Sequence, residues 1–206
     1  MATALTELSE KTTNGATKQV LASKLREVFV TRGYDGATLT HLATAAGLSK
    51  ASLYHHFPGG KPEMAAALVR HAIADLQRLA FSQLTPGPSG VISLTHFIDG
   101  FTAYTHNGDS DCLLAIFNHH RTASEETAVL QALIRKQFDD WQGTLANVYE
   151  GAGMRPKKAR RAADDLLASL YGALLMARMR QRPELLARAA KRLKKNLATQ
   201  LDADDD

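Results

Sequence analysis

The stretch TLTHLATAAGLSKASLYHHF, residues 38 to 57, holds two short helical patterns on either side of a glycine. In the first, Leu42, Ala43 and Ala46 share one side, Thr40 stands where it can cap the start, and Gly47 supplies the left-handed residue that a sharp exit requires. In the second, Ser49 is placed as the cap, and Leu53 joins Leu42 and Leu48 in a wedge between the helices. Small Ala43 and Ala46 allow close approach. These are the dimensions of a helix-turn-helix, whose second helix can enter a major groove.

The face left free carries Ser49, Lys50, Ala51, Ser52, Tyr54, His55 and His56, a set rich in partners for phosphates and base edges. Phe57 reads as core. After the break at Pro58-Gly59-Gly60, Lys61 opens the next helix, where free backbone amides also favour an anion. Spacing alone leaves this reading about level with an ordinary helical hairpin that has a solvated polar face.

Working outward, Val20, Leu21, Leu25, Val28 and Phe29 predict a first helix from Thr17 to about Thr31, stopped by Gly33. A long amphipathic helix follows from Lys61 to about Leu84, with Met64, Leu68, Val69, Ile73, Leu76 and Leu79 inward. TPGPSG at 85 to 90 is the clearest linker. Beyond it the period predicts helices over 91–106, 112–121, 125–149, 157–181 and 183–201, with Pro183 suited to a first turn. The fold class expected is all-α: a three-helix head at 17–60, a helical body at 61–201, an arm at 1–16 and an acidic tail at 202–206.

Composition agrees with this division. The chain has 206 residues, a formal net charge of +4 and one cysteine. Between Lys18 and Lys61 the bases Lys18, Lys24, Arg26, Arg32, Lys50 and Lys61 face only Glu27 and Asp35, so the N-terminal part carries positive field. A lone cysteine excludes an intrachain disulfide and fits a reducing compartment. The opening MATALTELSEKTTNG lacks the pattern of a secretory signal, and no segment reaches about 18 uninterrupted apolar residues. A cytoplasmic protein with no membrane association is expected.

The run LATAAGLSKASLYHHFPGGKPEM resembles the DNA-binding segment of the TetR family of bacterial repressors, and its YHHFPGGK ending is similar to the LmrA/YxaF-like branch. The alanine-alanine-glycine turn, the serine cap, the Leu-Tyr pair and the Phe followed by Lys fall in the family's order. The resemblance implies a head joined by a fourth helix to a ligand-binding, dimerising helical body, usually a repressor released by a small molecule. It assigns phosphate contacts to Thr40, Ser49, Tyr54, His56 and Lys61, and base contacts to Lys50, Ala51, Ser52 and His55. Ala51 departs from the glycine of many members. The branch is most often associated with efflux of drugs or toxic compounds.

Other chemistries fit less well. Gly59-Gly60-Lys61 is no nucleotide loop, because the earlier glycine is missing at the required spacing and Pro62 stands where a hydroxyl would hold magnesium. Adjacent His119 and His120 point about 100 degrees apart and are poorly placed to share a metal with His96 or Cys112. No set of acids, bases or metal ligands converges as an enzyme needs, so neither an enzyme nor a cofactor or metal is expected.

In the body, Phe97, Phe101, Tyr104, Phe117, Phe138, Trp141, Tyr171, Met176 and Met179 have core spacing. A cavity opened there would be lined from this set, and Phe97, Phe101, Tyr104, Phe117, His120, Trp141 and Tyr171 are the candidate pocket for an apolar or amphipathic effector. The penultimate helix, ADDLLASLYGALLMAR, is apolar nearly all round and needs cover on two sides. Its own body and a symmetry mate provide both. That predicts a homodimer on a palindromic double-stranded operator, its reading helices about 34 to 36 Å apart or a multiple of that. The bases from Arg178 to Lys195 read as a solvated helix side.

Overall fold

The computed structural model describes residues 20–109, 113–118 and 125–202. Within them the regular elements are helical, with no strand. In chain order they are α1 (20–36), α2 (Leu39–Ala46), α3 (Lys50–His56), α4 (Gly60–Leu76), α5 (Gly90–Tyr104), α6 (Leu113–Asn118), α7 (Glu125–Gly151), α8 (Pro156–Met179) and α9 (Glu184–Asp202). A π-helical turn, Gln77–Phe81, follows α4 directly, and a 3-10 turn, His106–Gly108, follows α5.

The chain packs as two compact units, Met1–Ile73 with Leu113–Ile134, and Ala74–Cys112 with Arg135–Asp206. The expected division at residues 60 and 61 follows a different line. The first turns of α4 and the whole of α6 pack with the head, because Met64, Ala65, Leu68 and Val69 are buried there and Phe117 sets its ring edge-on to Phe29 at 5.3 Å.

In the first unit Leu21, Leu25 and Phe29 of α1 are buried. Gly33 takes a positive φ of 65°, yet helical structure continues to residue 36. The extra turn places Tyr34 in the core, 3% exposed. Leu42 and Leu53 are fully buried, Ala43 and Ala46 nearly so, and Leu48 half-buried, which is the wedge read from the spacing.

In the second unit the π-helical turn shortens α4 against expectation and changes its phase. A π turn accommodates one extra residue per turn, so Leu79, expected inward, is 37% exposed while Ala80 and Phe81 are buried. Helix α5 crosses this turn at Gly100, where an added Cβ would meet the Leu79 carbonyl and come within 2.6 Å of the Ala80 Cα. Helices α8 and α9 pack together and α9 also packs on α5, where Lys194 pairs with Asp99 at 2.6 Å. Pro156, not foreseen as a helix start, opens α8, and Pro183 sits just before α9.

Helix α8 buries Ala159, Ala163, Leu166, Leu170, Leu174 and Ala177 on one side. On the other, Ala168, Gly172, Leu175, Met176 and Met179 are exposed, at spacings of three and four. No helix among the described residues is long and apolar enough to cross a membrane.

Candidate functional site

The turn between α2 and α3 is built by three local devices. Thr38, in extended conformation, caps α2 by accepting from the His41 amide at 3.3 Å. The expected cap, Thr40, lies instead in the first turn of α2, exposed. Gly47 is left-handed at φ 71° and the Leu48 amide reaches back to the Ala43 carbonyl at 3.0 Å, closing α2 as a glycine exit does. Ser49 caps α3 as expected, its Oγ accepting from the Ser52 amide at 3.1 Å.

Helix α3 buries one side chain of its seven, Leu53. Ser49, Lys50, Ala51, Tyr54 and His55 are exposed, and Ser52 and His56 are half-buried. The imidazoles of His55 and His56 meet edge to face at 5.7 Å. Phe57 is fully buried, as its core reading required. At the start of α4, Glu63 turns back to accept from the Gly59 amide at 2.8 Å.

Lys61 is half-buried. Its Nζ donates to the Tyr34 carbonyl oxygen at 3.0 Å and lies 4.4 Å from the Tyr34 ring centroid. Thr38, Tyr54, Gly59, Gly60, Lys61 and Asp35 border a shallow hollow of about 490 Å³ on the head.

In the second unit a continuous run of rings crosses the helices. Phe97 meets Phe81 edge-on at 4.9 Å, Phe81 stacks on Trp141 at 5.3 Å, and Trp141 meets Phe138 at 5.2 Å. Phe138 leans on Tyr171 at 5.0 Å, and Tyr171 meets Phe101 at 5.0 Å. Four of the seven candidate pocket residues, Phe97, Phe101, Trp141 and Tyr171, are thus joined. Tyr104 lies half-buried at the end of α5, Phe117 belongs to the first unit against Phe29 and Tyr34, and His120 lies outside the described residues, as do Cys112 and His119. The indole Nε1 of Trp141 is buried with no hydrogen-bond partner among the described residues.

Residues 22–68 match the family described as bacterial regulatory proteins, tetR family, and residues 91–192 match the C-terminal domain of LmrA/YxaF-like transcriptional regulators. The HTH-type transcriptional regulator LmrA of Bacillus subtilis is 36% identical over 170 residues, covering 79% of this chain and 87% of that protein. The chain belongs to the TetR family of bacterial regulatory proteins.

The two family matches together span residues of both units: this is a DNA-binding transcriptional regulator, not an enzyme. The transcriptional repressor DhaR of Mycobacterium sp. strain GP1 is 28% identical over 82% of this chain and 86% of its own. A TetR regulator from Chloroflexus aurantiacus shares the fold with a TM-score of 0.76 at 21% identity, covering 90% of this chain and 96% of that one.

Two TetR-family body residues escape the sequence reading of the pocket. Phe138 reads from spacing only as a core aromatic. Phe81 lies where a regular helix would turn it outward, and only the change of phase at the π turn brings it between Phe97 and Trp141.

Proposed function

We propose that this TetR-family chain is a homodimeric cytoplasmic repressor that holds a palindromic operator and leaves it when a small apolar or amphipathic molecule binds the body. The observation that carries the DNA-binding part is α3: one buried leucine anchors it, and the remaining side chains, rich in hydroxyls, imidazoles and an ammonium, are exposed or half-buried. Ser49, Tyr54, His56 and Lys61, with Thr40, are the phosphate contacts of this reading. Lys50, Ala51, Ser52 and His55 read bases.

The dimer is supported by the apolar ridge of α8. Leu175, Met176 and Met179 are 53%, 47% and 73% exposed, and a side chain added at Gly172 would meet nothing within 4 Å in its own chain. A second copy packed on this ridge removes that surface from water and brings two heads to one duplex.

The effector reading is supported by Trp141. A buried donor without an acceptor carries a desolvation cost, and a ligand oxygen placed among Phe81, Phe97 and Phe138 relieves it. Release then follows from a two-state dimer in which α4 and the π turn that continues it carry the chain from head to body; the ligand acts through its unequal affinity for the two states. Since Trp141 is the only tryptophan, its emission reports binding at this site alone.

The test is selection of bound duplexes from a randomised pool at moderate salt. An enriched inverted repeat supports the proposal, and recovery without sequence preference overturns it. Ser52→Ala or His55→Ala is expected to redirect the preference, weakening the parent site by ~1–3 kcal/mol at one base pair of each half-site. Identical enriched sequences from wild type and both variants would remove these residues from base reading. Quenching of Trp141 by a compound that also lowers duplex affinity supports the induction step.

A further inference from the structure

We infer that Asp165 and Arg180 fix how two copies of this chain pair: α8 lies antiparallel to its mate across Gly172, and the Asp165 carboxylate of each copy receives the guanidinium of Arg180 of the partner subunit. This rests on the dimer reading above and adds to it a register, and a means by which one copy recognises another.

The outer stripe of α8 is graded in size. Ala168, Gly172, Leu175 and Met176 are exposed and Ser169 is half-buried, so the stripe is small before the glycine and large after it. A two-fold axis at Gly172 sets each residue against the one equally far beyond the glycine. Ala168 then faces Met176 of the partner subunit, and Ser169 faces Leu175 of the partner subunit, small against large on both sides. A parallel pair would crowd the large residues together and leave the small ones apart, which close packing disfavours.

Charge follows the same axis. Asp165 lies about 10 Å before Gly172 along the helix and Arg180, which closes α8, about 12 Å after it. Both are turned the same way around the helix from Gly172, by about 20° and about 80°, so the two-fold rotation brings them to one height and one side. Parallel helices would instead set acid against acid and base against base. The other bases at this end are engaged: the Arg178 guanidinium donates to the Asp109 carbonyl oxygen, and Arg182 pairs with Glu184 at 2.6 Å. Among the described residues neither Asp165 nor Arg180 forms an ion pair within its own chain.

The receiving end is a hollow of about 550 Å³ between α8 and α9, bordered by Asp165, Ser169, Asn196 and Gln200, with Tyr149 in its lining. Ser169 places it on the side of α8 to which Arg180 is also turned. The Tyr149 phenol is pushed up by burial and further by the Asp165 carboxylate, so it stays neutral beside that negative charge. Carboxylate, hydroxyl and amide oxygens are the acceptors that the fork of a guanidinium takes up.

The experiment is sedimentation of full-length variants over a concentration series at low and high salt. Both side chains are exposed, so the fold tolerates their exchange. Asp165→Arg and Arg180→Asp are each expected to raise the dimer dissociation constant by about 30-fold at low salt, since the symmetry makes each change count twice, and by less at high salt. An equimolar mixture of the two is expected to form heterodimers close to wild type in affinity, because each copy then offers the charge its mate lacks. Disulfide trapping reads the register without the charges. In a Cys112→Ser background, Ala168→Cys mixed with Met176→Cys is expected to cross-link, and neither variant alone, since like positions then stand too far apart to be bridged.

Single variants as tight as wild type, a mixture no tighter than its components, or cross-linking of Ala168→Cys with itself overturns the inference while the dimer stands. A wild-type chain that stays monomeric overturns the dimer reading, and this inference with it.

Discussion

Gly100→Ala is expected to lower the thermal midpoint by about 6 to 12 °C, the equivalent of ~3 kcal/mol in a chain of this size. The new methyl would meet the Leu79 carbonyl oxygen and lie 2.6 Å from the Ala80 Cα and 2.7 Å from the Leu79 carbonyl carbon. All three are backbone atoms, so no rotamer change makes room and α5 must lift from the π turn, an overpacking cost at the upper end of the usual range. Phe81 ends that turn, so its stacking on Trp141 goes with it and the Trp141 emission is expected to shift. Gly143→Ala is the control: a Cβ there meets nothing within 4 Å, and inside α7 it is expected to stabilise by up to ~1 kcal/mol. Equal midpoints for the two variants would mean that α5 does not depend on this contact.

Leu175→Asp combined with Met179→Asp is expected to halve the mass seen by sedimentation and to cut operator affinity by about 100-fold or more. Both side chains are largely exposed in the single chain, so its fold tolerates the change. In the proposed dimer each carboxylate is buried without a partner, at a cost on the order of 3 kcal/mol or more. Once the copies separate, each head binds its half-site alone, and the gain of roughly 100-fold or more from linking two binding events is lost. A double variant that remains dimeric and keeps full affinity would remove the α8 ridge from the interface.

Much of the head was legible because its determinants are local. A serine cap, a glycine exit and apolar residues at helical spacing specify α2, its turn and α3 within twenty residues, and their structure follows that reading except that Thr38, not Thr40, caps α2. The contact of Lys61 with Tyr34 was hidden, because its partner is a carbonyl 27 residues earlier and nothing in a linear pattern reports a backbone acceptor. The aromatic run was half legible. Phe97, Phe101, Trp141 and Tyr171 follow regular helical phase, whereas Phe81 depends on a π turn that periodicity at 3.6 residues cannot register. The grouping of Phe117 with Phe29 and Tyr34 is likewise a long-range choice, made by packing rather than by spacing.

The two units are interleaved along the chain, and this bears on how the protein emerges from the ribosome. Residues up to Ile73 leave first, yet their unit is complete only when Leu113–Ile134 arrives. By then Ala74–Cys112 is already made, and its own partners, from Arg135 onward, are still to come. Domains that follow one another in sequence can mature strictly in order, the first before any of the second exists. Here the first unit closes with a piece of the second held out as a loop, its apolar side chains uncovered. The rings of α5 are therefore exposed to water, and to any chaperone that binds such surface, until α7, α8 and α9 have been synthesised.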